Sequence, residues 1–277
     1  MTGDGENQLV LRPTSAFSFR ELRDLWEYRE LFWILAIRDV SVRYKQALLG
    51  VVWALLQPAA QTVLFTVLFH RLAGIQGEPG VPYPIFCLSG LVIWMLFSGG
   101  LAHASESLIG GSNLITKVYF PRLILPASAI VTALVDFALG FVMLLAVMPF
   151  FDVWPHLSAL AALPLALLAA LTALSIGLWT SAINVQFRDV RHALPFFMQL
   201  LVYLTPVFYP VSLIPEKWRW LTALNPMSPI VESFRASLLG LPMPLPRLGI
   251  SLAITVVVGL SGLVFFRSLE RSFADRV

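Results

Sequence analysis

The sequence predicts an all-α integral membrane protein. It would have six transmembrane helices, an N-terminal amphipathic interface helix and short re-entrant helices at the outer face before the last span. Three observations predict this. Of 277 residues, 58% are apolar and only 13% are charged, whereas soluble domains run nearer a quarter charged. A soluble core of this size could not hide so much apolar surface, so the solvent is largely lipid. Several charge-free runs are long enough to cross roughly 30 Å of hydrocarbon as helices. Finally, 14 of the 19 Lys and Arg fall in segments assigned to one side, as expected because these residues resist translocation and mark the cytoplasmic face.

The expected organisation is a cytoplasmic tail with the amphipathic helix over 1–46, a six-span domain over 47–266, and a cytoplasmic tail over 267–277. The net charge is +3, but the cations are scattered over termini and loops. Membrane topology accounts for that pattern, and nucleic-acid binding does not. Cys87 is the single cysteine, which excludes an intrachain disulfide and a cysteine-based metal site. The first 46 residues are too charged for a signal peptide, so the expectation is an uncleaved chain.

Residues 1–16 are polar, with Gly3, Gly5 and Pro13, and read as a loose tail. From Phe17 to Lys45 the pattern is amphipathic, and the apolar run Leu31–Ile37 is too short to span. With Trp26, Trp33 and the flanking cations Arg38, Arg43 and Lys45, this stretch predicts a helix in the cytoplasmic interface. The alternative is an ordinary helix packed on a partner. The cations stop abruptly at Lys45, which roots the first span inside.

Span one is expected over about 47–70. Trp53, Gln57, Gln61, Phe65 and Phe69 recur every four residues and share one slowly spiralling helix face. Glutamine is costly against lipid, so this face either packs on a neighbouring helix or lines a wet, aromatic path. Span two, about 84–103, returns inward. It leads into SESLIGGSNLITKVYFPR (105–122), where Lys117 and Arg122 agree with an inside location. Span three, about 123–148, carries Asp136 near its middle. An acid at that depth needs a partner or a wet cavity, and a structural hydrogen-bonding role is the preferred reading over a proton relay.

Span four, about 157–182, places Ala169, Ala173, Gly177 and Ser181 at four-residue spacing, a pattern that lets helices approach closely. A turn with Arg188 and Arg191 follows on the inside. Span five, about 194–210, is punctuated by Pro195, Pro206 and Pro210 and carries Gln199 and Tyr203 on one face. Residues 211–247 alternate short apolar pieces with Pro, Trp and charge, and neither piece can span. They predict two short re-entrant or interfacial helices. Span six, about 248–266, returns inward, and Arg267, Arg271 and Arg276 close the chain there.

Several chemistries are missing from the sequence. It contains no GxxxxGK[ST] phosphate loop, no HExxH and no GxSxG, so nucleotide binding by this chain alone and hydrolysis by these motifs are not expected. Glu216 and Glu232, the acids of the loop after span five, show no acid/base pairing in their surroundings. Transport or scaffolding is favoured over catalysis, and neither a metal nor a cofactor is expected in this chain.

RDVSVRYKQALLGVVWALLQP (38–58), LITKVYFPRLILP (114–126), VYLTPVFYPVSLIP (202–215) and LNPMSPIVESFR (224–235) resemble the permease subunits of ABC-2 type polysaccharide exporters, the family that exports O-antigen, capsule and teichoic acid. The similarity covers nearly the whole chain from about residue 20. It implies a homodimer in the bacterial cytoplasmic (inner) membrane with both termini cytoplasmic. Two copies of a separate nucleotide-binding subunit would carry ATP and Mg, and a lipid-linked polysaccharide would be the cargo. It also implies that residues 17–45 form an interfacial gate helix, that about 105–122 couple to the ATPase through Lys117, Tyr119, Phe120, Pro121 and Arg122, and that about 211–247 form an outer gate. Trp53, Gln57, Phe65, Phe69, Tyr203 and Phe208 are the expected glycan-channel residues. Two alternatives remain: an ABC-2 exporter of a drug or hydrophobic lipid, and a membrane enzyme acting on a polyprenyl-linked sugar.

Overall fold

The computed structural model describes residues 26–45, 50–187, 189–270 and 273. The expected polar tail, the amphipathic stretch 17–25, residues 46–49, Arg188 and the terminal cations Arg271 and Arg276 lie outside the described residues. Among the described residues the architecture is all-helical. Five helices are long and apolar enough to cross a membrane, and a sixth is apolar but shorter.

Helix α1 (Arg29–Lys45) precedes the first span. It buries Leu35 and Ala36 on one side while Trp26, Trp33, Ile34 and Ile37 stay exposed on the other. Being apolar on two faces suits a helix with protein beneath it and lipid above it. Helix α2 (Val51–Phe65) begins after Gly50, whose φ of +42° is a backbone conformation that glycine adopts at little cost. It continues as a π-helical stretch over Thr66–Leu72, so the first crossing is Val51–Leu72, close to the expected span.

Helix α3 (Tyr83–Gly110) is the axis of the bundle. It is apolar all round and buried for most of its length, as expected for a helix surrounded by protein. It also corrects the expected boundary at His103: with no breaker before Gly110–Gly111, the helix runs seven residues further. The short α4 (Ser112–Ile115) and an extended stretch then lead to α5 (Ile124–Val147).

Helix α6 (Ala162–Gln186), entered through a 3-10 turn at Leu157–Ala161, lays its small-residue stripe against α3. A β-carbon on Gly177 would come within 2.7 Å of the Ala104 side chain, and one on Gly100 within 3.2 Å of Ala173. Ala169, Ala173 and Ser181 are fully buried, so the four-residue spacing marks the close contact it predicted. Helix α10 (Leu245–Glu270) packs on the other side of α6. There Thr172 and Thr255 share a 2.8 Å hydrogen bond, and Trp179 stacks on Phe265 at 4.3 Å.

The fifth crossing differs from expectation. Its helix, α7 (Val190–Leu204), has 15 residues and is about 22 Å long, short of the bilayer core. Pro206 ends it, because the residue before a proline is pushed out of the helical region, and Thr205 is extended. The strap Thr205–Pro210 completes the path. At one end Arg191 lies 3.7 Å from Glu106 near the end of α3. At the other, the Tyr83 hydroxyl at the start of α3 donates to the Phe208 carbonyl at 2.7 Å. Helix and strap together therefore run the length of α3.

Two short helices follow as expected, α8 (Glu216–Leu224) and α9 (Met227–Leu239). The first exposes Trp218, Trp220 and Leu224, whereas the second is buried over nearly its whole length. Its return is set by Gly240, left-handed at φ +69°, a common helix terminator. Arg235, one of the five cations expected in outer segments, is not solvated. It is 3% exposed and bound to backbone carbonyls. Apolar packing forms two cores. The larger joins α3, α5, α6 and α9. The smaller gathers Leu35, Ile115, Phe120, Phe266 and Phe273 at the opposite end.

Candidate functional site

The first crossing stands partly off the bundle. Trp53, Leu56 and Val63 on α2 are exposed, while its other face leans towards α3 and α5. Between α2, α3, α5 and α7 lies an open cleft of about 710 Å³. The lining combines Trp53, Gln57, Gln61 and Phe65 of α2 with Gln199 and Tyr203 of α7 and Phe208 of the strap. Of the expected channel residues, Trp53, Gln57, Phe65, Tyr203 and Phe208 meet there. Phe69 does not line the cleft. It sits in the π-helical continuation, one turn beyond Phe65, with its ring against Phe65 and Phe208 in the cap.

One end of the cleft is closed by rings. Phe65 and Phe208 stack with centroids 3.7 Å apart, Phe69 lies against the same ring at 5.8 Å, and Tyr203 approaches it at 6.0 Å. Phe208 is 1% exposed, so it belongs to the core as much as to the cleft wall. Its backbone is fixed by the Tyr83 hydroxyl, and Tyr83 in turn stacks on His70 at 5.3 Å. The cap is thus built from α2, its π-helical extension and the strap.

The other end of the cleft is charged. Arg43 of α1 reaches Asp136 of α5 at 2.8 Å and contacts His103 Nε2 at 3.0 Å. The neighbouring Tyr44 hydroxyl donates to the same Asp136 carboxylate. Burial and the carboxylate push the Tyr44 phenol up to about 12, so it stays a donor at any physiological pH. Asp136 is thus ion-paired and hydrogen-bonded, with partners the sequence reading placed only at the membrane interface. The signal was available: a lone intramembrane acid needs a partner or a wet cavity, and the cations Arg38, Arg43 and Lys45, read as interface anchors, stood at the foot of the first span. Arg38 instead pairs with its neighbour Asp39 at 2.8 Å on the surface. Lys45 is exposed.

Between α4 and α5 the expected coupling residues divide into two groups. Tyr119 is 90% exposed, whereas Phe120 is 4% exposed and anchors the smaller core. Lys117 is exposed, and Pro121 and Arg122 are half-buried. The Arg122 backbone amide donates to Glu270 at 3.1 Å, and its guanidinium lies 6.0 Å from the centre of the Phe273 ring. The Tyr119–Phe120 pair is therefore split, one ring offered outward and the other holding the segment to the end of α10. Within the described residues no cluster of His, Cys, Asp and Glu could hold a metal ion.

Residues 30–239 match the model of a family described as ABC-2 type transporter. The chain is 31% identical over 263 residues to an O-antigen export system permease protein of Myxococcus xanthus, covering 93% of this chain and 99% of that one. It is 25% identical over 248 residues to a permease of the same description from Klebsiella pneumoniae, covering 89% and 94%. It is 24% identical over 254 residues to a polysialic acid transport protein of Escherichia coli, covering 86% and 93%. The family match takes in every element that builds the cleft, its cap and the charged end, and on that evidence the chain belongs to the ABC-2 type transporter family.

Proposed function

We propose that the chain is the membrane-spanning permease subunit of an ATP-driven exporter that moves a lipid-linked polysaccharide of the O-antigen type across the bacterial cytoplasmic membrane. The observation that carries this reading is the cleft, in which the rings of Trp53, Phe65 and Tyr203 alternate with the amides of Gln57, Gln61 and Gln199. Sugar rings present C–H faces that pack on aromatic rings, while their hydroxyls take amide partners. Many weak contacts of this kind favour passage over tight binding. The relatives named for O-antigen export and polysialic acid transport support the same cargo class.

A second copy of the chain would close the open side of the cleft. The exposed apolar faces of α2 and α7, with Leu56, Val63, Phe196 and Leu200, suit that contact. Two copies of a separate ATPase would bind ATP and Mg and press on residues 105–122, with Tyr119 as the exposed contact and Lys117 and Arg122 near the headgroups. Both termini would then be cytoplasmic, α1 would serve as the gate at the charged end, and α8 and α9 would lie at the outer face.

Deleting the gene tests the function. The expected result is loss of surface polysaccharide with lipid-linked polymer accumulating inside, restored by the intact gene. Normal surface polysaccharide in the deletion strain refutes it.

A further inference from the structure

Among the described residues Arg235 stands out as a buried arginine, 3% exposed. It is buried on α9, and its partners are main-chain oxygens: Nε donates to the Phe86 carbonyl at 3.2 Å, and Nη2 donates to Pro206 at 3.3 Å and Val207 at 3.1 Å. The guanidinium also lies 3.6 Å over the Phe86 ring. Space for it is left by Gly90, where a β-carbon would stand 2.7 Å from Nη2 and 3.0 Å from the Val207 oxygen. Burying a cation against carbonyl dipoles is expensive, and a neutral residue would fill the site at less cost. What the arginine adds is a rigid fork that fixes α9 to α3 and to the strap in one piece.

The strap carries the cap. Arg235 holds the Pro206 and Val207 carbonyls, Tyr83 holds the next one, at Phe208, and Phe208 stacks on Phe65. Asn225, just before α9, adds a 2.8 Å hydrogen bond to the Thr205 hydroxyl. On its other side α9 is tied to α10: Glu232 pairs with Arg247 at 2.7 Å, and the Ser251 hydroxyl donates to the Pro226 carbonyl at 2.6 Å. Helix α10 then runs from Arg247 to Glu270, about 34 Å, where Glu270 receives the Arg122 amide. Hydrogen bonds, one ion pair and the length of α10 thus connect the segment around Arg122 at one end of the bundle to the aromatic cap at the other.

We propose that α9 is the connecting rod of the exporter: clamped to α10 by Glu232–Arg247 and to the strap by Arg235, it carries movement of the last helix to the Phe65–Phe208 stack. Arg235 is a positioning residue that touches no cargo and acts through the strap. The inference rests on the proposed function and adds that the cap opens during export. Coupling of this kind requires an element that both sites bias, and a chain of contacts is only its structural precondition. The experiment therefore reads the cap directly.

Cysteines replace Phe65 and Phe208 in a Cys87→Ala background, and a short bifunctional thiol reagent cross-links them in membrane vesicles containing the chain and its ATPase. ATP turnover is expected to lower the cross-linking rate several-fold. With Glu232→Gln and Arg247→Gln the ATP effect disappears although hydrolysis continues, and the exchanged pair Glu232→Arg with Arg247→Glu restores it. Arg235→Lys, which keeps the charge but lacks the fork, weakens the effect. An ATP effect of full size in the double Gln variant overturns the rod and leaves the export reading intact. If ATP has no effect in the starting pair, the cap is not a gate and the rod falls, while the deletion strain still decides the proposed function.

Discussion

Arg43, at the end of the helix that precedes the first span, forms a 2.8 Å ion pair with Asp136, twelve residues into the third crossing. This ties α1 to the bundle at about 18 Å along α5. The side chain reaches inward from the interface to do so, and the cleft ends against it. Removing either partner leaves the other without its ion pair at a partly exposed site.

Arg43→Gln and Asp136→Asn are therefore expected to lower the melting temperature in detergent by several degrees each. That corresponds to about 2 kcal/mol, the low end for truncating a charge pair, because both side chains keep some exposure. Exchanging the two residues should recover most of the loss. Arg38→Gln, which breaks only a surface pair with Asp39, should change stability by less than about 1 kcal/mol. Thermal unfolding followed by fluorescence checks all four, and equal losses for Arg38 and Arg43 would contradict the assignment.

Gly177 meets Ala104 at the closest approach of α3 and α6. Gly177→Ala is expected to push the two helices apart and cost about 1–3 kcal/mol by overpacking. Gly249→Ala, where a β-carbon meets open space, should be neutral or slightly stabilising. Melting curves of the two variants side by side decide it.

Trp53→Ala and Gln57→Leu should slow export several-fold while assembly and stability stay within about 0.5 kcal/mol of the parent, since Trp53 is 56% exposed and makes few contacts to lose. Quantifying surface polysaccharide in complemented cells reads the effect. Full export in both variants would remove this face from the path.

Tyr119→Ala and Phe120→Ala, adjacent in sequence, should fail in different ways. The first is expected to leave folding intact and uncouple ATP hydrolysis from export, and Arg122→Ala should do the same. The second empties a buried site and should cost about 3–5 kcal/mol, visible as low yield of folded protein. A stable, fully coupled Tyr119→Ala complex would contradict the coupling role.

Much of this was legible in the sequence because lipid imposes simple rules. A long, almost wholly apolar run in lipid must be a helix, so the crossings at Val51–Leu72 and Ile124–Val147 could be placed from composition. The small-residue stripe of Ala169, Ala173 and Gly177 announced the contact it makes, and the stripe of Trp53, Gln57, Gln61 and Phe65 marked the cleft wall. What stayed hidden depends on pairing across the chain. Periodicity says nothing about which cation reaches Asp136, and Arg235 looks like any loop arginine until α9 is folded back onto the start of α3. Phe69 shares the stripe but packs into the cap with Phe65 and Phe208, and periodicity alone does not separate the cap from the cleft wall. Pro206 ends α7 at Leu204, and the chain completes the path as the turns and bends of the strap, a break that a hydropathy run does not reveal.

The central claim is that this chain passes a lipid-linked polysaccharide through its cleft when a partner hydrolyses ATP. The direct test is reconstitution of the purified permease and ATPase in liposomes loaded with the labelled lipid-linked glycan, followed by measurement of glycan reaching the opposite side. The account predicts translocation that requires ATP and the partner and falls several-fold with Trp53→Ala. Translocation that proceeds equally without ATP, or a complex that hydrolyses ATP without moving glycan, would contradict it.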